Sequence, residues 1–303
     1  MRLQKYTPLL TVMLIALALG GCGRAASGTA PEAAKTEIKT SELKKVELSS
    51  KILKKDMKLN IYLPAGYSTA DKYPVLYLLH GYSGNEDGWM PDMKLEKKAD
   101  ELIANNKIKP LIIVAPQIDN SYGVNTSANT RTLGNPPNNS VDEGLYEDYL
   151  YKEVVSYMDS NYSTVASREG RYIGGLSMGG CAALHLAFLH PDLFSKVGGH
   201  SPALFVDDFA DGLKLWLYPD ESLRKERDPI YIAQEKDIKP LKVYLDCGDT
   251  DSYKFYEGCD KLFKILQSKD IEAEYHLNSG GHDGAYWEAN EEKYLLFYAG
   301  TEG

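Results

Sequence analysis

Four cysteines in 303 residues, none in a metal-ligand spacing, exclude both a disulfide-stapled scaffold and a structural zinc site. Positive charge is also short. Lys and Arg total 34 against 43 Asp and Glu, a formal net charge of −9, so the chain lacks the basic face of a nucleic-acid binder. The apolar run at residues 9–19 is too short to span a bilayer comfortably. No internal repeat or dominant low-complexity tract is present, which sets aside solenoid, fibrous and collagen-like architectures.

What is there reads as one globular domain with a leader. The composition is 43% hydrophobic and 25% charged, which suits a single α/β domain of generous size. Arg2 and Lys5 precede the apolar run, and Gly20-Gly21-Cys22 follows it. That is the layout of an export signal over residues 1–21. Leu19-Gly20-Gly21-Cys22 also looks like a bacterial lipobox, which would make Cys22 the acylated residue of a lipid anchor at the cell surface. The alternative is an ordinary signal peptide with a chance cysteine. Residues 22–43 are rich in Ala, Ser, Thr, Gly, Glu and Lys and read as a flexible tether. The folded domain is expected over 44–303.

Within that domain, alternation over 46–48 and 57–63 predicts an antiparallel hairpin. Nearly unbroken apolar runs at 73–79 and 110–115 predict strands covered on both faces. Further strands are expected at 171–176, 196–200, 241–246 and 271–277. Helices are expected at 95–104, 142–158, 178–189, 253–267 and 286–298. Such alternation implies a mostly parallel sheet with helices on both faces. The stretches 117–141 and 202–233 carry little regular pattern.

Gly175-Leu176-Ser177-Met178-Gly179 is a G-x-S-x-G pentapeptide between an expected strand and an expected helix. A nucleophile on a sharp strand-to-helix turn needs small residues two before and two after it, so Ser177 is the candidate nucleophile. His80-Gly81-Tyr82 follows the strand ending at Leu79. There the backbone N–H of Tyr82, together with that of Met178, would form an oxyanion hole. His80 itself suits an orienting or packing role. Of the six histidines, His282 sits on a Gly-flanked loop after the last expected strand and is the candidate general base. For the acid, Asp246, Asp249 and Asp251 are all available after the penultimate strand, and spacing leaves the choice between them open. Cys181 reads as a buried small hydrophobe. A Cys247–Cys259 bridge is conceivable in an exported chain, although spacing does not supply its geometry.

Ile173–Gly180, Leu78-Leu79-His80-Gly81, Cys247-Gly248-Asp249-Thr250-Asp251 and Gly280-Gly281-His282-Asp283 occur here in one order. Together they resemble the putative esterase (esterase D-like) family of α/β-hydrolases. That family includes the feruloyl and acetyl-xylan esterases of carbohydrate esterase family one, S-formylglutathione hydrolases and mycolyltransferases. Trp89 and Tyr146-Glu147-Asp148-Tyr149-Leu150 are further matches, and the resemblance covers roughly residues 44–298. It implies an α/β-hydrolase fold and a Ser177–His282–Asp251 triad, since the family's acid is the Asp three residues after the turn's Gly. The sequence departs from the family at Asp283-Gly284-Ala285, where relatives often carry a bulkier residue.

The expected chemistry is ester hydrolysis through an acyl-enzyme, with neither metal nor organic cofactor. An exported enzyme meets polymers, so acetyl or feruloyl groups on plant cell-wall polysaccharide are the leading substrates, and the cytosolic S-formylglutathione branch is disfavoured. A siderophore or short-chain acyl ester is the alternative, as is acyl transfer outside the cell. Trp89, Tyr122, Trp216 and Trp287 are candidate substrate-binding aromatics, ordinary packing being their other role. The expected partners are an ester substrate and, through Cys22 alone, a membrane.

Overall fold

A computed structural model describes residues 39–126, 141–206 and 212–301. The expected export signal, Cys22 and most of the expected tether lie outside the described residues, as do parts of the two long unpatterned stretches. No helix among the described residues is long and apolar enough to cross a membrane.

The chain enters through the hairpin of β1 (Glu42–Ser50) and β2 (Lys55–Leu63), paired antiparallel. Pairing starts at Glu42, two residues before the boundary expected at residue 44. The remaining strands are β3 (Val75–Leu79), β4 (Ile112–Pro116), β5 (Arg171–Leu176), β6 (Lys196–His200), β7 (Lys242–Gly248) and β8 (Ala273–Asn278). They form one sheet in the order β1-β2-β4-β3-β5-β6-β7-β8. β2 meets β4 antiparallel, and from β4 to β8 every pair is parallel. This is the α/β-hydrolase arrangement.

The apolar runs are explained by what lies on each face. Along β3, Val75, Tyr77 and Leu79 enter one core cluster while Leu76 and Leu78 enter another. Successive side chains point to opposite faces, so a strand covered on both sides has no polar position to spare. Helices α1 (Leu95–Ala104) and α9 (Gly284–Ala299) cover one face. Helices α4 (Met178–Leu189), α7 (Pro229–Glu235) and α8 (Phe255–Ser268) cover the other. Each fully buried Leu or Val contributes about 1.5–3 kcal/mol. Helix α4 is buried from Met178 through Phe188, on all sides.

Two expectations change. The helix expected over 142–158 is α2 (Tyr146–Asp148), a wider turn over Tyr149–Val154, and α3 (Val155–Asn161). The stretch 202–233 is more regular than its pattern suggests, holding α5 (Gly212–Leu217), α6 (Glu221–Arg227) and α7. These helices are too short to show a 3.6-residue period. Their ends are marked instead: the Asp220 carboxylate accepts from Leu223 N–H, the Asp228 carboxylate from Ile230 N–H, and Pro229 opens α7.

Candidate active site

Ser177 sits between β5 and α4 at φ 53°, ψ −118°, a conformation costing a non-glycine residue about 1–3 kcal/mol. Its neighbours hold it there. Ser177 N–H donates to the His200 carbonyl at 2.9 Å, and the Ser177 carbonyl accepts from Ala203 N–H at 2.9 Å. Gly179 has no room for a side chain, because a Cβ would stand 2.3 Å from the Leu79 carbonyl oxygen. At Gly175 a Cβ would stand 2.4 Å from Gly179. The flanking glycines are therefore a steric requirement of bringing β3, β5 and α4 together at Ser177.

His282 lies on the loop between β8 and α9. Its Nε2 is 2.8 Å from Ser177 Oγ and its Nδ1 is 2.7 Å from Asp251 Oδ2. With Nδ1–H donating to the Asp251 carboxylate, Nε2 is left unprotonated and able to accept the seryl proton. Asp251 is buried, and its other oxygen accepts from Tyr253 N–H at 2.8 Å. Burial pushes this carboxyl upward, but the hydrogen bond and charge of His282, the Tyr253 N–H and the Cys247 thiol outweigh it. The net position is below the usual carboxylate range.

The loops that carry Asp251 and His282 are tied directly to each other. Asp249 N–H donates to the Asn278 carbonyl, Thr250 N–H to the Gly280 carbonyl, and Gly280 N–H to the Asp249 carboxylate. Of the three aspartates open on spacing, Asp251 alone meets His282. Asp249 fastens the His loop. Asp246 is fully buried beneath the site, 2.8 Å from His200 Nδ1, and accepts from the hydroxyls of Tyr286 and Tyr294 at 2.6 and 2.9 Å.

His80 is buried behind the turn after β3. Nδ1 donates to the Gly81 carbonyl at 2.8 Å and Nε2 accepts from Ile118 N–H at 3.0 Å. Burial lowers its pKa, which suits a neutral ring used as a brace. That brace fixes the turn carrying Tyr82, which lines the same cavity as Ser177, and Met178 is the first residue of α4. The leading N–H groups of a helix have no partner inside it, and the helix dipole favours negative charge there.

A cavity of about 710 Å³ opens over Ser177 and His282. Tyr82, Trp89, Tyr122 and Trp287 line it. Trp216 does not, and is buried in the core on α5. Trp89 is held by its Nε1–H donating to the Leu79 carbonyl at 3.0 Å. The wall also contains Phe205, Lys214, Tyr253 and Phe255, none of which was singled out from sequence. The signal for the last two was their place directly after the acid. The conceivable Cys247–Cys259 bridge is absent: Cys181, Cys247 and Cys259 are all free and buried. Cys247 instead points its thiol at Asp251. Among the described residues no group of three or more His, Cys, Asp or Glu could hold a metal ion.

A doubly covered, mostly parallel sheet with a serine elbow, a histidine loop and a carboxylate at its carboxyl edge defines a serine hydrolase of the α/β-hydrolase class. The family described as "Putative esterase" matches residues 50–291, and the chain belongs to it. The domain is a carboxylic ester hydrolase. The chain is 28% identical over 264 residues to an endo-1,4-beta-xylanase/feruloyl esterase of Xylanibacter ruminicola, covering 85% of this chain but 31% of that protein. It is 25% identical over 267 residues to an acetyl esterase of Caldicellulosiruptor saccharolyticus, covering 80% of this chain and 92% of the relative. A solved ferulic acid esterase superposes with a TM-score of 0.71 at 23% identity, covering 86% of this chain and 98% of the other. At that identity the likeness speaks to fold.

Proposed function

We propose that the domain removes acetyl or feruloyl groups from plant cell-wall polysaccharide, with Ser177 as nucleophile, His282 as general base and acid, and Asp251 as its orienting carboxylate. The observation that carries the mechanism is the unbroken chain from Ser177 Oγ through His282 to Asp251 at the floor of an aromatic cavity. His282 Nε2 takes the seryl proton as Oγ bonds to the ester carbonyl carbon. The N–H groups of Tyr82 and Met178 receive the charge that develops on the carbonyl oxygen. The carbon–oxygen bond to the alcohol then breaks, and the proton on His282 passes to the departing oxygen. Water repeats the two steps on the acyl-enzyme and releases the acid.

Support for the substrate comes from the relatives, one named for feruloyl and one for acetyl ester cleavage. The export signal and lipobox add the cell surface as the place of action, with Cys22 as the anchor. The test is release of ferulate and acetate from arabinoxylan by the purified full-length protein and its Ser177→Ala variant. Release that falls by about a thousandfold or more in the variant supports the reading. Retained activity removes Ser177 from the mechanism. Hydrolysis of p-nitrophenyl butyrate with the polymer untouched moves the substrate to a small ester.

A further inference from the structure

We infer that Tyr253 is a specificity-determining residue that holds the alcohol side of the ester, a sugar ring, against its open face. This rests on the substrate proposed above and adds to it which side of the cavity receives the carbohydrate.

The argument starts from the proton. His282 Nε2 must reach the departing oxygen, so the alcohol moiety lies on the His282 side of the cavity. Three rings flank His282 there. Tyr253 is at 5.0 Å between ring centroids, Phe255 at 5.3 Å and Trp287 at 5.0 Å, each nearly edge-on. Phe255 is 5% exposed and Trp287 8%, so each offers a ligand little area. Tyr253 is 67% exposed and lines the cavity.

The Tyr253 ring is also held in place before any ligand arrives. One face stacks on Phe255 at 5.3 Å and 12°, and its backbone N–H is fixed by Asp251 Oδ1. A platform ordered in advance loses little conformational entropy on binding. The exposed residues around it, Thr250, Ser252 and Lys254, are polar. One apolar ring within a polar rim fits a sugar, whose C–H face packs on the ring while its hydroxyls meet the rim. A long alkyl alcohol would need a continuous apolar track. A methyl group has no ring face to lay on Tyr253.

The experiment pairs substrates that share an acyl group and differ in the alcohol. Feruloylated arabinoxylan oligosaccharide is compared with methyl ferulate, and acetylated xylo-oligosaccharide with methyl acetate. Tyr253→Ala should raise KM for the sugar esters about tenfold, with kcat kept and the methyl esters within about twofold. Tyr253→Phe, which keeps the ring, should behave as the unmodified protein. Equal losses on sugar and methyl esters would make the ring a shield for the triad and overturn the inference, as would no change on either. Failure of the polysaccharide reading is visible separately, because the unmodified protein would then cleave methyl esters and leave both sugar esters intact.

Discussion

Cys247 Sγ lies 3.3 Å from Asp251 Oδ2, the same oxygen that receives His282 Nδ1–H at 2.7 Å. The thiol is a second donor on that oxygen, the Tyr253 N–H being on the other. Cys247→Ala removes it and leaves a buried carboxylate with one partner fewer, so the carboxylate is less firmly aimed at His282. The expected result is a kcat about threefold to tenfold lower with KM unchanged. Cys247→Ser restores a donor and should recover most of the loss. Steady-state kinetics on methyl ferulate separate the two variants, and equal behaviour of Ala and Ser would rule the contact out as a contributor.

Asp246 and Asp251 are five residues apart and should respond in opposite ways. Asp251→Asn leaves the packing in place and removes the charge that orients His282, so turnover should fall about a thousandfold or more while the urea midpoint moves little. Asp246→Ala leaves His200 and the hydroxyls of Tyr286 and Tyr294 without their shared acceptor. Leaving a buried donor without its acceptor costs about 1–3 kcal/mol, read as a lower urea midpoint. A stable, inactive Asp246 variant would reassign the acid.

Stability should fall as pH rises, in part because of Glu291. Burial first, then the nearby carboxylates of Glu288 and Glu96, raise its pKa from 4.5 to about 8, with Lys98 opposing. Between these values the folded chain keeps a proton that the unfolded chain has lost. The stabilisation is full below about pH 4.5 and is gone once pH passes about 8. Glu291→Gln mimics the protonated form at every pH. It should match the unmodified protein at pH 4 and exceed it by about 2–4 kcal/mol at pH 9 in urea unfolding. A constant difference across that range would contradict the assignment.

Glu147 works with the opposite sign. Burial pushes its carboxyl up, but hydrogen bonds and charge from His185 and His190 outweigh this and bring it down to about 2. Its contribution is present above about pH 4.5 and is lost as pH falls toward 2. Glu147→Gln should therefore lower the thermal midpoint at pH 6 and make little difference near pH 2.

Where chemistry and backbone shape depend on the same residues, the sequence is easy to read. Ser177 between two glycines must be a tight turn, and α4 and β6 occupy the very residues expected of them. The alternating packing of β3 likewise leaves an unbroken apolar run. Spacing did not separate Asp246, Asp249 and Asp251, because the difference lies in which carboxylate the fold turns toward His282 and which it buries under His200. Resemblance to a family supplied that choice. The short helices between 212 and 235 were missed because a single turn or two carries no period, only caps. For Tyr253 the sequence offers only its place just after Asp251; that its ring is exposed and faces the cavity is a property of the folded surface.

Helix α4 is enclosed along nearly its whole length, with the sheet on one side and α7 among its neighbours on the other. No outer face is left from which it can fray, so its amides can meet solvent only when the entire domain opens. Residues 182–188 should be among the slowest to exchange hydrogen for deuterium, at rates set by global unfolding. Ser177 sits at the head of this slow segment. Heat should therefore abolish activity and fold together, leaving no folded but silent species in between.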